Sequence, residues 1–159
     1  MIFVTVGAQM PFDRLVHAVD AWACERGRTD VFAQIGESDT PPAHIEWARF
    51  LSPPEFVSRV RDADLIVAHA GTGSIISALR AGKPIVVLPR HSSLKETRND
   101  HQIATAERFA STEGVYSAMD LNELAERLDE SDGYAGGGGI STEASPELID
   151  AVSGFLRSI

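Results

Sequence analysis

Apolar positions follow two rhythms along this chain. Leu65-Ile66-Val67-Ala68 and Pro84-Ile85-Val86-Val87-Leu88-Pro89 are apolar throughout, too short for helices and bounded by turn formers. That is the pattern of strands buried on both faces. Ile2-Phe3-Val4-Thr5-Val6, closing on Gly7, reads as a first strand, and Val31-Phe32-Ala33-Gln34-Ile35-Gly36 as a second with alternating character. Residues 45–51 and the short run Val115-Tyr116-Ser117 complete a set of six. Between them the period lengthens to that of a helix. Leu15, Val19 and Trp22, with Ala18 and Ala23, form a stripe over 12–25. Ser52-Pro53-Pro54-Glu55 is a helix start with a capping residue, early proline and an acid, and its helix runs to about Arg61. Further helices are predicted at 74–81, ended by Gly82-Lys83-Pro84, and at 100–111 with Ile103, Ala106 and Ala110 inward. Leu121, Leu124, Ala125 and Leu128 mark another.

Strands alternating with helices, two of them apolar on both faces, predict an α/β fold with a doubly wound parallel sheet in a single domain over residues 1–130. Composition changes abruptly after that. Residues 131–145, with Gly136-Gly137-Gly138-Gly139, read as a mobile linker, and 146–159 as a C-terminal amphipathic helix carrying Leu148, Ile149, Val152, Phe155 and Leu156.

Ligands of such sheets sit beyond the carboxyl ends of the strands, where the strand order reverses. There the fourth strand runs into His69-Ala70-Gly71-Thr72-Gly73-Ser74 and a helix. Gly71 and Gly73 permit a tight turn and close backbone approach, while Thr72 and Ser74 offer hydroxyls. The free N–H groups and positive end of the helix dipole favour a phosphate or diphosphate. Gly7-Ala8-Gln9, after the first strand, is placed to contribute N–H groups to the same ligand. It lacks the Gly-X-Gly-X-X-Gly pattern of a dinucleotide-dependent oxidoreductase. His69 reads equally as a packed histidine or a ligand contact; His101, beside Gln102 at a helix start, reads as a contact.

The net charge of −9 argues against general nucleic-acid binding, although Arg90, Lys95 and Arg98 gather in one loop after the fifth strand. Cys24, the sole cysteine, admits no internal disulfide and fits a reducing compartment. Met1 leads directly into a strand and no apolar run reaches membrane-spanning length, which predicts a cytoplasmic chain without a signal peptide. Asp62-Ala63-Asp64 imitates a metal motif but precedes the fourth strand, at the end of the sheet away from the ligand. No metal and no cofactor are expected.

Three motifs in order, His69-Ala70-Gly71-Thr72-Gly73-Ser74, then Gly82-Lys83-Pro84-Ile85-Val86-Val87-Leu88-Pro89-Arg90, then Asn99-Asp100-His101-Gln102, resemble the C-terminal domain of family 28 glycosyltransferases. The opening Phe3-Val4-Thr5-Val6-Gly7 matches too, and the chain resembles small stand-alone donor-binding members: the catalytic subunit of the two-part dolichol-linked N-acetylglucosamine transferase and bacterial exopolysaccharide subunits. The resemblance implies a Rossmann-like half of a GT-B enzyme with a UDP-sugar as substrate. By position it implies that Gly71, Thr72, Gly73 and Ser74 meet the diphosphate, His101 and Gln102 the sugar, and Phe50 with Leu51 the base. Gly7, Ala8 and Gln9 would close the site, with Arg90 and His69 beside it. Where the peptidoglycan member carries a ribose-holding Glu, three residues past Ser74, this chain has Ser77, which lacks the two-acceptor grip of a carboxylate.

The expectation is therefore the donor-binding subunit of a heteromeric hexosyltransferase. A membrane-associated partner would hold the lipid-linked acceptor and supply the general base, bringing the chain to the inner membrane face. The competing expectation is a non-catalytic nucleotide-sugar-binding or regulatory module.

Overall fold

The apolar strands assemble as their patterning requires. In the computed structural model, which describes residues 1–8 and 10–137, six parallel strands form one sheet: β1 (Ile2–Thr5), β2 (Val31–Gln34), β3 (Glu46–Ala48), β4 (Leu65–His69), β5 (Ile85–Leu88) and β6 (Val115–Ser117). Their order is β3-β2-β1-β4-β5-β6. It reverses between β1 and β4, where Thr5 pairs with Ala68. Five helices cover the two faces: α1 (Asp13–Arg26), α2 (Pro53–Asp62), α3 (Thr72–Arg80), α4 (His101–Phe109) and α5 (Leu121–Glu130).

Alternation along each strand divides the core in two. Ile2, Val4, Val67, Val86 and Leu88 point to α1 and α5, against Leu15, Val19, Trp22, Leu124 and Leu128. Phe3, Ile66, Ala68, Ile85 and Val87 point the other way, against Val60, Ile75, Ala78, Leu79 and Phe109. Both faces of the central strands are thereby removed from water, and this is what selects a parallel sheet.

Differences from the sequence reading have local causes. β3 shrinks from the expected 45–51 to three residues because it is an edge strand, with Glu46 and Trp47 exposed. In α4 the inward position belongs to Phe109, and Ala110 is exposed. α3 begins at Thr72, two residues earlier than expected. The expected linker starts as packed chain: Ser131–Gly133 is a 3-10 turn, and Tyr134 stacks on Tyr116 with ring centroids 3.7 Å apart. A Cβ on Gly136 would lie 1.8 Å from the Gly82 carbonyl oxygen, so its backbone is seated where no side chain fits. Gln9, the rest of the glycine run and the C-terminal helix of 146–159 lie outside the described residues.

One buried carboxylate ties the β2–β3 connection to α1. Asp20 accepts from the backbone N–H groups of His44 (2.8 Å), Ile45 (3.0 Å) and Ala43 (3.2 Å), and lies 3.0 Å from His44 Nδ1. Burial raises its pKa, but the His44 side chain and these N–H groups outweigh that and hold it below the usual carboxylate range. Truncation leaves buried donors unpaired. Asp20→Ala is expected to lower the unfolding free energy in urea by about 3 kcal/mol, and a loss below about 1 kcal/mol would contradict this role.

Candidate functional site

The β1, β4 and β5 ends carry the cluster that the sequence singled out, centred on His69. Its ring is largely enclosed between two glycines. A Cβ on Gly7 would lie 2.7 Å from His69 Nε2, and one on Gly71 only 2.1 Å from His69 Cε1. Gly7 also holds φ at +79°, in the region that side chains disfavour. These two glycines therefore make room for the imidazole rather than for a ligand. Gly73 is different, since a Cβ there would meet no atom of the described residues within 4 Å beyond its chain neighbours and its own helix backbone.

Polar contacts fix the ring at both nitrogens. Gln102 Nε2 lies 3.0 Å from His69 Nδ1, and Ser74 Oγ lies 3.3 Å from His69 Nε2. Gln102 Oε1 accepts from the Arg90 backbone N–H at 3.1 Å. Gln102 was expected to meet sugar hydroxyls, yet both ends of its amide are engaged within the protein. Burial, reinforced by the nearby Arg90 charge, lowers the His69 pKa to about 4, so the ring is neutral at physiological pH.

Arg90 corrects a second expectation. Only 4% of it is exposed, and its guanidinium donates to the carbonyls of Val6 (2.6 Å), Met10 (2.8 Å), Pro11 (2.8 Å) and Glu96 (3.3 Å). It also lies over the Phe12 ring, 4.8 Å from the centroid. Burial brings its pKa down to about 10, with Glu96 opposing the shift. Arg90 shapes the loop after β1 and does not reach for a ligand. Arg14 braces the same corner, bonding both oxygens of Glu96 and the Pro89 carbonyl.

The start of α3 is left open. Its N-cap, Gly71, provides no side-chain cap, and Ile75 N to Gly71 O is the first bond of the helix. The N–H groups of Thr72, Gly73 and Ser74 thus have no partner among the described residues. α2 and α5 are capped by Ser52 and Asp120, whereas α1 and α4, like α3, carry no side-chain cap. The Thr72 hydroxyl is buried and unpaired, while Ser77, at the ribose-carboxylate position, donates back to the Gly73 carbonyl at 2.8 Å.

The remaining expected residues scatter more widely. Ala8 and His101 are exposed, and His101 opens α4 one residue before Gln102. Phe50 is 56% exposed and Leu51 packs against the second core cluster. Both follow β3, three strand spacings or roughly 14 Å from β4. Asp64 lies at the amino end of β4 and pairs with the terminal ammonium, far from α3's start. Sequence reasoning missed Gln34, whose amide bonds Thr5 and the Gly7 and Arg49 carbonyls, bridging the loops after β1 and β3. A glutamine inside an otherwise apolar strand was its signal.

A buried neutral histidine makes stability depend on pH. Unfolded, the ring takes a proton near pH 6.5; folded, it resists until about 4. Between those values the unfolded chain binds more protons, so this contribution is complete above pH 6.5 and disappears as pH falls to about 4. The loss is about 3 kcal/mol. Urea unfolding of the wild type and His69→Gln from pH 7 to pH 4 should show this slope in the wild type alone. Parallel curves would contradict it.

Comparisons with known proteins bear on the family and the fold. The model for the glycosyltransferase family 28 C-terminal domain matches residues 1–132. The UDP-N-acetylglucosamine transferase subunit ALG13 of Mus musculus is 31% identical over 117 residues, covering 67% of this chain and 10% of that protein. The protein of the same name from Candida glabrata is 32% identical over 102 residues, 62% of this chain and 48% of its own. The chain thus spans half or less of these relatives. Among solved structures, the NMR structure of ALG13 has a TM-score of 0.60 at 23% identity, covering 86% of this chain and 87% of that one. The crystal structure of Acinetobacter baumannii MurG has a TM-score of 0.57 at 18% identity, covering 95% and 44%. At such identities the likeness shows the fold, the Rossmann-like half of a GT-B architecture. With most of its length matched, the chain belongs to the glycosyltransferase family 28 C-terminal domain family.

Proposed function

We propose that this chain is the donor-binding subunit of a heteromeric UDP-sugar glycosyltransferase. The observation that carries this reading is the uncapped start of α3, with its free N–H groups and the open space above Gly73. A diphosphate there meets N–H donors, the Ser74 hydroxyl and the positive end of a helix dipole.

Transfer breaks the bond between the anomeric carbon and the diphosphate oxygen as the acceptor oxygen attacks and loses its proton. Charge grows on the departing UDP. Donors already aimed at that oxygen lower the barrier without reorganising, and no metal or cofactor enters the reading. The general base belongs to a partner subunit, which also holds the acceptor. That division is supported by the word "subunit" in the relatives' names. Those names also support N-acetylglucosamine as the sugar among the hexoses and N-acetylhexosamines. A lipid-linked acceptor, and a cytoplasmic chain drawn to the inner membrane face by its partner, complete the proposal. The relatives' names lend exopolysaccharide synthesis no support. His101 remains the candidate sugar contact, and Phe50 with Leu51 the candidate base contact.

Sugar transfer from UDP-N-acetylglucosamine should appear only when the chain is combined with its partner. Donor binding without transfer in that complex would favour a non-catalytic module. Gly73→Val tests the cradle directly, because a Cβ at this position has open space among the described residues. The variant should unfold like the wild type yet bind UDP at least about tenfold more weakly by calorimetry. Unchanged affinity would remove the diphosphate from this position.

A further inference from the structure

We propose that Gln102 is a positioning residue that forces His69 into its Nε2–H tautomer, leaving the Ser74 hydroxyl free to donate to the anion at the start of α3. The ring's part of this rests on geometry alone. The anion's part rests on the donor-site reading above.

The polarity of the chain follows from its first member. A backbone N–H can only donate, so the Gln102 atom facing Arg90 N at 3.1 Å is the amide oxygen. The amide nitrogen then faces His69 Nδ1 at 3.0 Å, and reversing the amide would set donor against donor. Because an NH₂ group offers only protons, Nδ1 must accept, and a neutral ring carries its single proton on Nε2. Ser74 Oγ, 3.3 Å from Nε2, accepts that proton and is left with its own O–H to direct elsewhere. The ring cannot turn away, since the space beside Gly7 and Gly71 is shaped to it. Four groups thus point one way, from the backbone after β5 to a hydroxyl at the open end of α3. An opposite tautomer would draw the serine proton back onto the ring. Gln102 therefore acts on the anion through two other side chains.

Gln102→Glu reverses this polarity at nearly constant volume. Its carboxylate still accepts from Arg90 N–H but cannot donate, so His69 must protonate Nδ1. Long-range nitrogen–proton correlation spectra should show the Nε2–H pattern in the wild type and a protonated Nδ1 in Q102E. UDP affinity should fall about tenfold in Q102E, but no more than about twofold when Ser74→Ala is already present, which separates the lost hydroxyl from simple charge repulsion. A wild-type Nδ1–H pattern, or equal losses in both backgrounds, would overturn the proposal. If Q102E does not fold, Gln102→Met serves, and an unchanged tautomer in that variant would overturn it equally. Should wild-type protein fail to bind UDP, the donor-site reading falls, and the spectra still decide whether Gln102 sets the ring.

Discussion

A buried guanidinium holds the ligand-facing end of the sheet together. The Arg90 side chain gathers carbonyls from both the loop after β1 and the loop after β5. Such carbonyls, enclosed without a partner, would each carry a desolvation penalty of about 1–3 kcal/mol. Its backbone N–H orients Gln102, and its charge helps keep His69 neutral. Loop path, ring state and amide orientation all trace to one residue. Arg14 and Glu96 reinforce that corner, where the Glu96 carboxylate pairs with Arg14 and also acts on the Arg90 charge.

Glycines divide the same region by what fills the space beside them. Next to Gly7 and Gly71 stands an imidazole; above Gly73, among the described residues, the space is open. The turn is packed on its inner side and open on its outer side. The open side is where the helix presents uncompensated N–H groups. α2 and α5, whose starts carry no ligand in this reading, close theirs with side-chain caps. An uncapped start costs stability unless something else satisfies it; α1 and α4 also lack side-chain caps, and what sets α3 apart is the open space beside Gly73 among the described residues.

Much of the fold was legible because burial on both faces leaves an unbroken apolar run that no helix of that length imitates. β4 and β5 were read on that basis, and the crossover helices followed from the spacing. β3 was overread, since an edge strand has one partner, and Trp47 and, past the strand's end, Phe50 stay partly in solvent. The turn and helix start at residues 71–74 were legible, because local sequence determines local geometry there. The protein partners of Arg90 and Gln102 were not foreseen, for one reason. Their partners are carbonyls and a ring nitrogen supplied by other loops, and a chain-local reading cannot tell a cation facing a ligand from one facing backbone. The same blindness hid Gln34, whose three partners come from three segments.

In a chain of net charge −9, an anion site built on exposed cations would be expected. The start of α3 is built differently. Its donors are neutral N–H and O–H groups, and the nearby cation Arg90 is sealed behind His69. Exposed cations attract any anion at long range, and salt screens them. Fixed neutral donors act only within hydrogen-bond distance and only along their own directions, so they discriminate by shape. Such a cradle suits a group whose charge grows during reaction, because oriented dipoles stabilise the developing charge without binding the ground state as tightly as an ion pair would. A neutral His69 belongs to this design: protonated, it would convert a directional cradle into a point charge.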